Sequence, residues 1–318
     1  MNAYRTILEA VLPVFGLIGG GFLLRRMVWL TAEADASLLR LTLYVFVPCL
    51  ILDSALGNPA FNRLDNLLWA PATGYLSVAL GLLVATAARP WLRLRDSAVA
   101  RTFAVATAIH NYGYIPLPLC LLWFGKATAG VLFLYMVGVD AALWTLGVLG
   151  LSGGRGRIEW RRVLNPPLMA VLLGVTLNAT GMHAWCPLAL RTGMHWLGQC
   201  AVPLALLLIG AVMADELPAV RSAAGWRIMA AAVLIRLGLM PGLFLAMARL
   251  LPVSADLQRV LVLESAMPAA VFPIVMARHY GGDVPTALRV VLSTSLVSFF
   301  TMPLWLRLGL DGIGVAMP

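Results

Sequence analysis

A chain of 318 residues that is 61% hydrophobic and 12% charged, with a mean hydropathy of +0.89, carries far more apolar surface than a soluble core needs. It reads as an all-α polytopic membrane protein, and no polar stretch is long enough for a separate nucleotide-binding or catalytic module, which argues against an ATP-driven pump acting alone. The net charge of +9 comes mainly from arginines in short joints between apolar runs, so nucleic acid is not an expected partner.

Crossing the hydrocarbon takes about 20 apolar residues, and the sequence predicts ten transmembrane helices. In chain order they are Ile7 to Leu24, Leu38 to Leu56, Leu67 to Ala88, Ala98 to Phe124 and Thr128 to Leu151, then Val163 to Gly181, Thr192 to Met213, Gly225 to Leu250, Leu257 to Ala277 and Thr286 to Leu306. Arg25 and Arg26 follow the first run instead of preceding it, which favours a retained anchor with its N-terminus outside over a cleaved signal. Alternate joints carry unequal charge. Fifteen basic residues, including Arg95, Arg161 and Arg221, fall on one side and seven on the other, with Arg236 inside a span. Because Lys and Arg collect in cytoplasmic loops, the richer side is expected to face the cytoplasm, both termini lie outside, and the setting is a bacterial inner membrane. Cys49, Cys120, Cys186 and Cys200 lie in or beside spans without a Cys-x-x-Cys spacing, so neither a disulfide framework nor a metal site is expected, and no cofactor.

Landmarks recur at a fixed offset. Pro13 and Pro167, and His110 and Glu264, lie 154 residues apart, while Tyr44 and Gln199, Pro48 and Pro203, and Pro118 and Pro273 lie 155 apart. The chain therefore divides into a first five-helix repeat over 1–151, a Gly/Arg-rich cytoplasmic linker over 152–165, and a second repeat over 166–318. An odd number of spans per repeat makes the second enter the membrane in the opposite sense, giving two inverted repeats of five, a common build of secondary transporters.

Spans four and nine are interrupted at matching places, by His110-Asn111-Tyr112-Gly113-Tyr114-Ile115-Pro116-Leu117-Pro118 and by Glu264-Ser265-Ala266-Met267-Pro268-Ala269-Ala270-Val271-Phe272-Pro273. Prolines lack the amide a helix needs and Gly113 admits unusual dihedrals, so backbone groups near the breaks lose their helical partners. If the two broken helices cross there, half-helix N-termini would present positive dipole ends to an anion. Asn111 both donates and accepts, Ser265 offers a hydroxyl, and Tyr112 and Tyr114 either donate from their phenols or pack between helices.

Ionisable groups inside spans are costly and tend to carry function. His110 and Glu264 precede the two breaks, and either can hold a coupling proton. Arg236 should pair with a carboxylate, Asp140 or Glu264, in a bond that fixes helix packing, or else bind an anionic substrate. Asp140 itself is a packing or capping partner or a functional one. In spans two and seven, Pro48 and Pro203 would bend helices that face the crossing and point Tyr44 and Gln199 toward its cavity.

Several stretches resemble the auxin efflux carrier family, within the wider group that includes bile acid and sodium symporters. They are Tyr44 to Leu50 (YVFVPCL), Asn111 to Leu119 (NYGYIPLPL), Glu264 to Gly281 (ESAMPAAVFPIVMARHYG), Ser293-Thr294-Ser295 and Thr301-Met302-Pro303, and the likeness spans nearly the whole chain. The resemblance implies crossing broken helices 4 and 9, a scaffold bundle of helices 1, 2, 6 and 7, and a mobile transport bundle of helices 3–5 and 8–10. It also implies that Asn111, Pro116 and Pro268 line the substrate site, with Pro273 as the second proline of plant-type members. Many bacterial relatives carry an asparagine near Phe272 that is absent from this sequence, and the long central loop of many plant carriers is missing too, so an auxin substrate is not implied.

The resulting expectation is a secondary transporter, not an enzyme, moving a small organic anion such as a mono- or dicarboxylate by alternating access. Its partners would be that anion, membrane lipid and a second copy of the chain as a homodimer. The nearest rival is a sodium-coupled symporter of bile-acid type, which would need a cage of oxygens around the crossover drawn from Glu264, Asn111 and Ser265. An intramembrane enzyme would want paired acidic motifs or a nucleophile beside a base, and neither Asp-x-x-Asp nor His-Glu-x-x-His occurs.

Overall fold

The computed structural model describes residues 2–94, 96–157, 160–220 and 225–315, and Arg95 and Arg221 of the charge count lie outside them, as does the side chain of Arg161. Among the described residues every regular element is helical. In chain order those of eight residues or more are α1 (Asn2–Arg26), α2 (Ala32–Ala55), α3 (Leu64–Ala87), α4 (Ser97–Ala108), α5 (Pro116–Leu151), α6 (Pro166–Ala179), α7 (Leu188–Leu217), α8 (Trp226–Leu250), α9 (Ala255–Ser265), α10 (Phe272–His279) and α11 (Val284–Gly312). Seven of them, α1, α2, α3, α5, α7, α8 and α11, are long and apolar enough to cross a bilayer.

The other expected spans take different forms. The fourth and ninth are each split: α4 ends at Ala108 before the chain turns helical again at Pro116, and α9 ends at Ser265 before α10 starts at Phe272. The sixth is a helix of 14 residues. The joint expected between spans four and five is a single non-helical residue, Gly125, at φ 73 and ψ −168 within α5, a conformation that glycine adopts without the steric cost of a Cβ.

Local chemistry sets several starts. Asp96, Asn165, Ser254 and Asp283 each accept an orphan amide from the first turn of α4, α6, α9 and α11. Three single π-turns interrupt longer helices, at Thr42–Phe46, Leu143–Gly147 and Ile235–Leu239. The last has a traceable partner. Pro241 lacks the N–H that would bond the carbonyl of Leu237, and the indole Nε1 of Trp305 donates to that oxygen instead at 2.7 Å.

Helix pairs approach closely where glycine leaves room. A Cβ on Gly138 of α5 would lie 1.8 Å from the carbonyl oxygen of Pro71, and one on Gly74 of α3 would lie 2.2 Å from that of Tyr135. The same reciprocal arrangement joins α1 to α7, where a Cβ on Gly21 would lie 2.0 Å from Leu207 O and one on Gly210 would lie 1.9 Å from Ile18 O. Without a hydrophobic drive between helices in lipid, backbone-to-backbone packing of this kind holds them together. Helices α1, α2, α6 and α7 pack mainly on one another, while α3, α4 and α5 pack together and α9 bridges them to α8 and α11.

Candidate functional site

The two breaks meet as extended backbone running in opposite directions. Asn111 N donates to Pro268 O at 2.8 Å and Ala270 N donates to Ile109 O at 2.9 Å, around a bridge between His110 and Ala269. Each break thus supplies hydrogen bonds that the other lost, which meets the demand that backbone groups be satisfied away from water. Other backbone groups of the second break are paired too. Thr294 Oγ1 of α11 accepts from Ala269 N at 3.2 Å, and Arg236 of α8 donates from Nε to Met267 O at 3.0 Å and from Nη2 to Glu264 O at 3.2 Å. The first break is tied by its own side chain, with Asn111 Oδ1 accepting from Ile115 N at 3.3 Å.

Around this crossing lies a sealed polar cluster. His110, Arg236, Glu264 and Ser265 are all 0% exposed. His110 Nε2 lies 3.2 Å from Glu264 Oε2 and 3.0 Å from the hydroxyl of Tyr135, which in turn donates to Ser77 Oγ at 2.9 Å. The Phe244 ring stands edge-on to His110, with centroids 5.2 Å apart, and lies beneath the Arg236 guanidinium at 5.1 Å, so one aromatic serves both.

The outcome for Arg236 corrects the expectation. Among the described residues its guanidinium bonds neither Asp140 nor a carboxylate oxygen of Glu264; it takes two main-chain carbonyls at the C-terminal end of α9. The cause is the negative end of a broken helix, whose last carbonyls lack helical partners and attract a cation. Asp140 is committed elsewhere: Tyr112 donates its phenol to Oδ1 at 2.5 Å, and Asn165 Nδ2 donates to Oδ2 at 3.3 Å. Tyr112 therefore ties the first break to α5 and the N-cap of α6. Tyr112→Phe should lower stability by about 2 kcal/mol, the value of a hydrogen bond to a charged acceptor, read as a lower melting temperature of the purified protein.

Gly113 and Pro116 are buried at the restart of α5, with Pro118 half-buried, and Pro268 and Pro273 are buried around the second break. Ser265 turns its hydroxyl back onto Val262 O at 2.7 Å, within its own helix. Of the four residues expected on the scaffold side, Tyr44 is 66% exposed, Gln199 and Pro203 are exposed and Pro48 is half-buried, and among the described residues no hydrogen bond or ring contact links any of them to the breaks. Sequence reasoning passed over Tyr135, Ser77, Phe244 and the acceptor role of Thr294. The one available signal was Tyr135 itself, since a phenol in the middle of an apolar run needs a partner.

A helical membrane chain whose polar groups gather where two helices break and cross has the architecture of a carrier. The chain belongs to the membrane transport protein family, whose sequence model matches residues 6–159 and 155–306 and which takes in the auxin efflux carriers. It is 29% identical over 302 residues to an uncharacterized transporter of Methanothermobacter thermautotrophicus, covering 93% of this chain and 96% of that protein. A protein of Rhizobium meliloti with a provisional malonate-transporter name is 27% identical over 306 residues, 92% of each chain. Auxin efflux carrier component 8 of Arabidopsis thaliana is 25% identical over 155 residues, 46% of this chain and 42% of its own length. The family and these relatives are transporters by name and not enzymes.

Proposed function

We propose that this protein is a secondary carrier that moves a small organic anion across the plasma membrane by alternating access, with the site at the crossing of the two breaks. The reading rests above all on the paired backbone bonds between Ile109–Asn111 and Pro268–Ala270. Antiparallel pairing of equivalent segments is what two repeats of opposite orientation produce, and it supports ten spans as two inverted sets of five, with the halves of α4 and α5 and of α9 and α10 completing the count.

Asn111 is 6% exposed, and its Nδ2 makes no hydrogen bond among the described residues, which leaves an amide donor for a carboxylate. The starts of α5 and α10 add the positive ends of two half-helices. His110 beside Glu264 is the place for a coupling proton, because the pair is the one buried meeting of imidazole and carboxylate at the breaks. Short dicarboxylates are the first candidates, since the Rhizobium meliloti relative bears a malonate name.

Alternating access needs two bodies that separate. The reciprocal glycine contacts lie within each group of helices, whereas polar bonds bridge the groups: Lys126 of α5 to Asp53 of α2 at 3.0 Å, and Arg278 of α10 to Glu216 of α7 at 3.3 Å. Such exposed ion pairs are worth little and exchange readily for water. On this reading α1, α2, α6 and α7 form the scaffold, the remaining helices form the moving bundle, both termini face outward, and a homodimer would join through the scaffold.

The test is uptake into proteoliposomes. Radiolabelled malonate or malate should accumulate above protein-free vesicles, faster with an imposed proton gradient if His110 and Glu264 carry the proton. A purified protein that transports no mono- or dicarboxylate and shows no thermal stabilisation by any of them would overturn the substrate class.

A further inference from the structure

Arg236 is a full cation, 0% exposed, whose planar fork holds two carbonyl oxygens of a broken helix. We propose that this guanidinium is a tethered cation occupying the oxygen cradle that a coupling metal ion would otherwise take, so that the carrier runs without sodium or any other alkali cation. The inference deepens the transport reading above and rests on it.

A hard cation needs around six oxygens close about it. At the crossing several of the candidate oxygens are already committed. Met267 O and Glu264 O accept from Arg236, Pro268 O from Asn111 N, Ile109 O from Ala270 N, and Asn111 Oδ1 from Ile115 N. Ser265 turns its hydroxyl inward to Val262 O. Of the three side chains that would build the cage, that leaves the Glu264 carboxyl, which stands 3.2 Å from His110. A single carboxyl falls well short of such a shell.

Charge leads to the same place. Arg236 and Glu264 make a cluster of zero net charge when the carboxyl is ionised and His110 neutral. A metal ion held there without the anion would leave net positive charge in a site sealed from water, where an uncompensated charge is strongly disfavoured. The tether is also held in place. Arg236 lies in the π-turn Ile235–Leu239, with Pro241 just beyond it and Trp305 bonded to Leu237 O. A metal ion can enter and leave with each cycle, whereas a side chain of α8 cannot, and the His110–Glu264 pair is then the remaining exchangeable charge.

The experiment compares melting temperatures of purified wild type, Arg236→Ala and Arg236→Lys in sodium chloride and in N-methyl-D-glucamine chloride at equal ionic strength. Wild type should be indifferent. Arg236→Ala, with its cradle emptied, should melt lower and gain a saturable upward shift of several degrees from sodium or from millimolar methylguanidinium. A side chain serving packing alone would give the lower melting point with no cation response, so a folded Arg236→Ala that ignores both ions overturns the proposal. If Arg236→Ala does not fold, Arg236→Lys decides: its ammonium supplies the same charge and should leave the protein indifferent to sodium. A sodium shift in wild type or in Arg236→Lys refutes the tethered cation. Because the readout is stability, it stands whether or not the substrate is an organic anion.

Discussion

Asn111→Ala should cut carboxylate uptake by about 10-fold to 100-fold, the loss that follows from removing one hydrogen bond of about 1.5–3 kcal/mol to a charged acceptor. Folding should survive it. The side chain gives the first break one bond, with Oδ1 accepting from Ile115 N at 3.3 Å, and losing one such hydrogen bond costs about 1 kcal/mol. The backbone bond from Asn111 N to Pro268 O does not depend on the side chain and remains. Asn111→Asp separates the two roles, because it keeps the acceptor for Ile115 but loses the donor and adds a negative charge facing the anion. It should transport even less than Asn111→Ala. Uptake rates normalised to the folded protein measured by size-exclusion chromatography check both variants, and normal flux in Asn111→Asp would remove Asn111 from the site.

Gly138→Val should destabilise the protein by about 3 kcal/mol, the upper part of the usual range for overpacking. The obstacle is backbone, which cannot rotate aside: a Cβ at position 138 would stand 1.8 Å from Pro71 O. Helices α3 and α5 would have to move apart. The damage would also reach the crossing, because Tyr135 and Ser77 lie one turn from Gly138 and Gly74 on the same two helices, and the Tyr135 hydroxyl joins Ser77 to His110. Both a lower melting temperature and lost transport are expected. Gly242→Ala is the control, since nothing lies within 4 Å of its added methyl. It should be neutral, and an equal loss there would show that any glycine change in these helices is damaging.

Parts of the site are legible in the sequence. The breaks could be placed from prolines in apolar runs, because a missing amide is a covalent property of the residue and needs no neighbour to act. His110 and Glu264 stood out for a similar reason, as ionisable side chains without local partners, and the structure brings them within 3.2 Å. Arg236 was equally conspicuous, yet its partner was misjudged, since charge alone favours a carboxylate over the carbonyls of a broken helix. Tyr44 and Gln199 show another limit. A shared offset says that two positions are equivalent, whereas the face a helix presents depends on its rotation against its neighbours, and Tyr44 lies exposed.

What the sequence by itself determined is the solvent and the punctuation: a bilayer protein, built of helices, broken twice at places a fixed offset apart. Those follow from apolar length and from proline, both local quantities. Only the tertiary structure decided who satisfies whom. Trp305 reaches back to Leu237, Asn165 to Asp140, Tyr135 to His110 and Arg236 forward to Glu264 and Met267. Each of those bonds joins segments that the chain keeps far apart. A buried polar group must find some partner, and which one it finds is set by where packed helices place it.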